Sequence, residues 1–330
     1  ASPMFHLLKK NPGLLWGLAV SAGRAQRVID DTAADILSQP QDWCWMHFAL
    51  SDHRARRFLE GFAALPDAAR AMLLSGETRP QLHLSSGCAY GVIPDFEKEF
   101  GEQSFGEGSV AFWLDGGHLI TTRHHPMRVV DEVREEIERA PPPEPVDVFV
   151  RLNERFVEIA EKRFAVFARW LDRLEDKVLS EQGDMERTGL GSVRREVARF
   201  HRQFASLRAS YHRAMNSRVP VPDNPVSPRL AELLQAAEDF DRDAAGLSER
   251  ARLLYEEIDT RIAAATNRSL RTLTIISTLL LPSTFVVGAF GMNLPQIPWA
   301  NSFGGFWWAI ALCALVVGGC WAALKRYDVL

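Results

Sequence analysis

The chain has 330 residues, a formal net charge of −4 and 24% charged residues. That balance excludes a basic nucleic-acid-binding surface as its organising feature, and the length leaves room for one sizeable soluble domain beside any membrane segment. The four cysteines, Cys44, Cys88, Cys313 and Cys320, show no CxxC spacing, which argues against a disulfide framework or a zinc ribbon.

Residues 1–145 are predicted to form an α+β domain, a mixed sheet with flanking helices. Ala1 to Lys10 hold no long apolar stretch, so no cleavable signal is expected and this domain should stay in the cytoplasm. Leu14–Val20, Trp43–Leu50, Cys88–Pro94, Val110–Leu114 and His118–Arg123 are rich in aromatic and branched residues between turn formers, the pattern of strands. The last two, joined through Asp115, Gly116 and Gly117, read as a β-hairpin. Asp52–Ala63, Pro66–Leu74 and Pro126–Arg139 read as helices. The neighbouring His124 and His125 invite a metal reading, but a polar turn is the simpler one.

Pro141–Pro145 ends that domain, and residues 146–271 are predicted to be helical stalk. A hairpin is expected from helices over Val146–Leu179 and Ser192–Arg218, with Gly183, Gly189 and Gly191 making the turn. After the proline-rich break Val219–Pro228, residues Leu230, Leu233, Ala237, Phe240, Ala244, Leu247, Ala251, Leu254 and Ile258 keep a three-four alternation, the seam of a packed helix. Carried without a break to Phe290, this helix would be a rod of about 90 Å. Its seam offers a way to hold several copies together. Its acidic residues Glu238, Asp239, Asp241, Asp243, Glu256, Glu257 and Asp259 alternate with arginines and read mainly as a solvated face, with cation binding between copies as the alternative.

Two uncharged runs of 19 residues follow, 272–290 and 306–324. Each spans roughly the 30 Å hydrocarbon core of a bilayer. Arg261, Arg268 and Arg271 precede the first run and Lys325 and Arg326, in the tail 325–330, follow the second, which puts both flanks and both termini in the cytoplasm and the loop 291–305 outside. Trp299, Phe303, Trp307 and Trp308 near the loop, with Trp321 and Tyr327 at the other end, fit interfacial aromatic belts. Cys313 and Cys320, seven apart on one face, read as packing residues.

Within the first run, in a phase shifted from the stalk seam, one line collects Asn267, Leu270, Thr274, Ser277, Leu281, Thr284 and Gly288. Small and hydroxyl-bearing residues alternating with leucines suit a narrow pore, and they equally suit close helix packing. Spacing does not separate the two. Pro282 cannot donate to the carbonyl of Thr278, so a kink is expected there, with the freed carbonyl facing a pore or taken up by the Thr278 or Ser283 hydroxyl. Two helices cannot enclose a pathway, so a pore requires several copies around an axis.

Gly291, Met292 and Asn293, directly after one membrane run and before a short loop and a terminal one, resemble the GMN signature of the CorA superfamily of divalent metal-ion transporters. The resemblance covers the whole layout. It implies a funnel-shaped homopentamer in the inner (plasma) membrane, whose first membrane helices line the pore and whose motif asparagine, here Asn293, rings the outer mouth. Asn293 would then hold a divalent cation through its hydration shell, Gly291 would allow the tight turn that positions the ring, and the line from Asn267 to Gly288 would face the pore.

Magnesium-transporting members carry an acidic residue soon after the motif. This loop reads NLPQIPW with no carboxylate and looks like the ZntB branch, associated with zinc uptake. Zinc is therefore the favoured ion, with magnesium, cobalt, nickel and cadmium as alternatives. The residues do not select it, since the line holds neither imidazole nor thiolate. Proton coupling belongs to the same resemblance, although neither run holds an Asp, Glu, Lys, Arg or His. No resident cofactor is implied; the expected partners are further copies of the chain, the bilayer and the transported cation. A membrane-anchored enzyme or scaffold is the competing class, and residues 1–140 show no GxSxG, P-loop, HExxH or GxGxxG to support catalysis.

Overall fold

The computed structural model describes residues 13–29, 41–98, 106–179, 187–217, 221, 223–292 and 304–326. The chain divides into two compact units, Ala1–Arg252 and Leu253–Leu330. The first opens with strands β1 (Leu14–Ser21), β2 (Arg24–Val28) and β3 (Trp43–Ala49) and helices α1 (His53–Gly61) and α2 (Asp67–Leu74). Four more strands follow, β4 (Gln81–Ser85), β5 (Cys88–Phe96), β6 (Glu107–Asp115) and β7 (His118–Arg123), and then α3 (Arg128–Arg139). Three long helices come next: α4 (Pro145–Leu179), α5 (Arg187–Met215) and, after a short 3-10 turn, α6 (Leu230–Phe290), which runs from the first unit into the second. The last is α7 (Gly305–Arg326).

The seven strands form one sheet in the order β2-β1-β3-β7-β6-β5-β4. Only β3 and β7 pair in parallel, so the sheet is mixed, as the sequence implies. Helices cover both of its faces. Trp43, Trp45, Val110, Phe112 and Leu114 point into a core shared with α3, α4, α5 and α6, while Cys44, Met46, Phe48, Ala111 and Trp113 point towards α1 and α2. A strand buried on both sides has no polar face, which is why β3 reads WCWMHF rather than alternating.

The two strands missed in the sequence, β2 and β4, are the two edges. β2 carries Arg24 and Arg27 and little apolar surface, as an edge exposed to water requires. Its hairpin turns through Ala22 and Gly23, both at positive φ, a two-residue turn without the usual Asn-Gly signal. The predicted hairpin between β6 and β7 is present: Asp115 Oδ1 accepts from the N–H groups of Gly117 and His118 at 2.8 and 2.7 Å.

Beyond the sheet, phenyl rings carry the packing. Phe96 at the end of β5 stacks on Phe156 of α4 at 4.9 Å, Phe156 on Phe204 of α5 at 5.2 Å, and Phe204 meets Phe240 of α6 at 3.9 Å. Every residue of the predicted seam from Leu230 to Ile258 is buried. Its partners correct the expectation that it holds separate copies together, because Phe240 packs on Phe164, Phe200 and Phe204 of the same chain. Gly189 and Gly191 also depart from expectation: they lie inside α5, not in a turn, and Gly183 lies outside the described residues. The proline-rich segment before α6 is pinned by Asn224, whose amide donates to the carbonyls of Ser85 and Cys88 at 2.9 and 2.7 Å.

Asp95 joins the sheet to α3. Its carboxylate is buried and accepts from the N–H groups of Val129 and Val130 in the first turn of that helix, at 2.8 and 3.1 Å. Burial pushes its pKa from 3.8 up to about 7, against the pull of those amides. The folded chain therefore keeps a proton that the unfolded chain releases near 3.8, and the stability tied to Asp95 falls as pH rises from about 4 to about 7. Replacing Asp95 by Asn should remove this slope from thermal unfolding midpoints measured across that range. Replacing it by Ala, which takes this acceptor from the buried amides of Phe96, Val129 and Val130, should cost about 1–3 kcal/mol in the same measurement.

Candidate ion pathway

The C-terminal part of α6 and the whole of α7 are long and apolar enough to cross a membrane. Their side chains are not the core of a soluble protein. Leu281 is 75% exposed and Phe285 77%, an apolar surface that water does not tolerate at this extent and that lipid or further copies must cover. At the two ends of α7, Trp307 and Trp308 are exposed, and Lys325 Nζ lies 5.5 Å from the centre of the Trp321 ring, an arrangement suited to the two interfaces. Trp299, Phe303 and Tyr327 lie outside the described residues.

One side of α6 is covered. Ile275, Thr278, Leu279, Pro282, Ser283 and Val286 are half-buried, and so, at matching spacing on α7, are Ala309, Cys313, Val316, Cys320 and Leu324. Cys313 Sγ lies 3.9 Å from the carbonyl oxygen of Ser283, which sets these two lines against each other and makes the cysteines packing residues.

The predicted line falls on the other side. Asn267, Leu270, Thr274, Ser277, Leu281, Thr284 and Gly288 are all exposed. With about 100° of turn per residue, their mean direction lies about 140° from the side that faces α7. To one flank of the line, Leu273, Ile276, Leu280 and Val287 present large apolar side chains, which the sequence reading left unassigned although their spacing was visible.

The threonine hydroxyls are oriented. Thr274 Oγ1 donates to the Leu270 carbonyl at 2.8 Å and Thr284 Oγ1 to the Leu280 carbonyl at 2.9 Å. Each hydroxyl hydrogen is thereby committed to the backbone, and the oxygen lone pairs remain as acceptors. This is the polarity that the water shell of a cation needs, since its hydrogens point outward.

The expected fate of the carbonyl freed at Pro282 is corrected. α6 continues through Pro282, and Pro282 and Thr278 both belong to the half-buried side, so the freed carbonyl is off the exposed line. Neither hydroxyl takes it up: Thr278 donates to the Thr274 carbonyl and Ser283 to that of Leu279. Gly291 closes α6 with its N–H on the Val287 carbonyl at 2.9 Å, yet it is not among the glycines at positive φ. A Cβ there would stand 3.3 Å from the Val287 oxygen, so close approach, not a left-handed turn, favours glycine. Met292 is exposed, and Asn293 lies outside the described residues.

The other candidates are structural. His124 and His125 form a polar bend after β7, and burial and the nearby Arg56 hold His124 below its ordinary pKa. Among the described residues no group of three His, Cys, Asp or Glu side chains could hold a metal ion. Glu238 pairs with His212 at 2.7 Å, and buried Asp241 lies 3.0 Å from His201 and 3.2 Å from Arg208. These two acids bind α6 to α5, while Asp239, Asp243, Glu256 and Glu257 are exposed, the solvated face their alternation suggests.

A soluble mixed-sheet unit followed by two membrane-length C-terminal helices defines a membrane protein, and the family model described as CorA-like Mg2+ transporter protein matches residues 40–326. The chain belongs to that family, whose members are transporters and not enzymes. Among its relatives are the divalent cation transporter CmaX of Pseudomonas aeruginosa, 26% identical over 325 residues (95% of this chain, 96% of CmaX), and the zinc transport protein ZntB of Yersinia enterocolitica, 23% identical over 306 residues (89% and 90%). The fold is that of full-length CmaX, with TM-score 0.78, 24% identity and coverage of 96% and 98%. It is also that of the CorA magnesium transporter from Methanocaldococcus jannaschii, with TM-score 0.70, 14% identity and coverage of 94% and 97%.

The exposed line makes a test possible on a background without native thiols. Cysteine placed at Ser277 or Thr284 should react with a membrane-impermeant charged thiol reagent roughly tenfold faster than cysteine at Leu279 on the covered side. Equal rates would remove the distinction between the two sides.

Proposed function

We propose that this chain is a divalent cation transporter that takes up zinc, in its hydrated form, through a central pore shared by several copies. The observation that carries the reading is the exposed line from Asn267 to Gly288, set on the side of α6 away from α7 and furnished with hydroxyl acceptors and no charge. If α7 covers the outside, the line is left for the centre. The family resemblance supports five copies in a funnel-shaped homopentamer, with Asn293 at the outer mouth and Gly291 and Met292 behind it. Basic residues on both cytoplasmic flanks, Arg261, Arg268 and Arg271 before α6 leaves the membrane run and Lys325 and Arg326 after α7, support a multi-pass protein of the inner (plasma) membrane with both termini inside.

The pathway works without ligands that would strip the ion. Zinc binds imidazole and thiolate tightly, and a wall lacking both lets it pass with its water shell and leave quickly. The membrane potential, worth about 2.3 kcal/mol per charge per 100 mV, draws a divalent ion inward with no further energy source. With no Asp, Glu, Lys, Arg or His in either membrane run, proton coupling has no evident carrier inside the bilayer and is not part of the reading.

Zinc is favoured over magnesium by the loop after Asn293, which has no carboxylate, and by the relatives named zinc transport protein ZntB. The second reading, a magnesium, cobalt or nickel channel, is favoured by the family's own description and by the magnesium-transporting structural neighbour.

Full-length protein reconstituted in liposomes distinguishes them. Zinc influx should rise with an inside-negative potential, ignore an imposed proton gradient, and fall at least about tenfold in Asn293→Ala. Magnesium influx undiminished by excess zinc would favour the second reading. Influx unaffected by the Asn293 substitution would overturn both.

A further inference from the structure

The first unit holds a cleft of about 480 Å³ between α5 and the sheet edge at β4 and β5. Thr78 and Arg79, in the link from α2 to β4, form one wall, and Arg199, Arg202, Gln203 and Ser206 of α5 form the other. Among the described residues no carboxylate lines it. The acids alongside are already engaged. Glu77 accepts through Oε1 from the backbone N–H groups of Thr78 and Arg79 at 3.1 and 3.0 Å, and Glu196 faces Arg163 at 3.5 Å. Among the described residues the guanidinium groups of Arg79 and Arg202 make no ion pair.

Guanidinium groups gathered from two separate elements around a concave space repel one another unless an anion lies between them. Their planar forks match phosphate oxygens two at a time. Hydroxyls from Thr78 and Ser206 and the Gln203 amide supply further donors, and the volume lies within the range of small-molecule sites. We infer that this cleft binds a soluble phosphorylated anion of nucleotide size, with its phosphates bridging Arg79 on the sheet side to Arg202 on α5. Such a ligand ties α5 to the sheet and stabilises the folded chain by mass action.

The experiment is titration calorimetry on the full-length protein in detergent at about 0.1 M salt, free of divalent cations, with pyrophosphate and with ATP as probes. Both should bind with sub-millimolar affinity, at least about tenfold weaker in the Arg79→Gln/Arg202→Gln double variant, and each should raise the thermal midpoint of the parent protein alone. Arg242→Gln, an exposed arginine of α6 outside the cleft, should leave affinity unchanged. No binding at about 10 mM probe, equal affinity in the double variant, or an equal loss in Arg242→Gln would each overturn the assignment. Ion flux enters none of these readouts, so the result is independent of the transported ion.

Discussion

One helix has to satisfy two surroundings with a single backbone. From Leu230 to Ile258 the apolar seam of α6 is buried, held in its middle by the phenyl rings of α4 and α5, and further along the same helix Leu270, Leu273, Ile276, Leu281 and Phe285 are apolar and exposed. The aromatic ladder from Phe96 through Phe156 and Phe204 to Phe240 ties the sheet to the first part of α6, within the first unit.

What the sequence made legible follows from what periodicity can report. A three-four spacing identifies which side of a helix is buried, and every seam residue from Leu230 to Ile258 is. It carries no information on the partner, which is why the seam was assigned to contacts between copies when Phe164, Phe200 and Phe204 of the same chain fill that place. The strands with two buried faces were easy to recognise, whereas β2 and β4 were passed over because an edge must be polar to stay unpaired. Gly189 and Gly191 misled in the other direction: glycine lowers helix propensity, but tertiary context in α5 overrides it.

The line on α6 shows the same division. Its residues could be collected by spacing, and their choice between a pore and a packed contact could not, because both favour small and hydroxylated side chains. The half-buried residues facing α7 decide which side is already occupied, and that depends on where the second helix sits, which no local pattern encodes. The motif asparagine is the reverse case. Asn293 is conspicuous in the sequence and lies outside the described residues, so its role rests on family resemblance.

The committed hydroxyls of Thr274 and Thr284 have a further consequence for a conduit built from them. A free hydroxyl can swivel to greet either sign of ion, offering hydrogen to chloride as readily as oxygen to a metal aquo complex. Tied to the carbonyls of Leu270 and Leu280, these two turn their oxygen lone pairs outward. If the line faces a conduit, these two dipoles favour cations over anions, and acidification leaves that preference intact because neither hydroxyl takes up a proton.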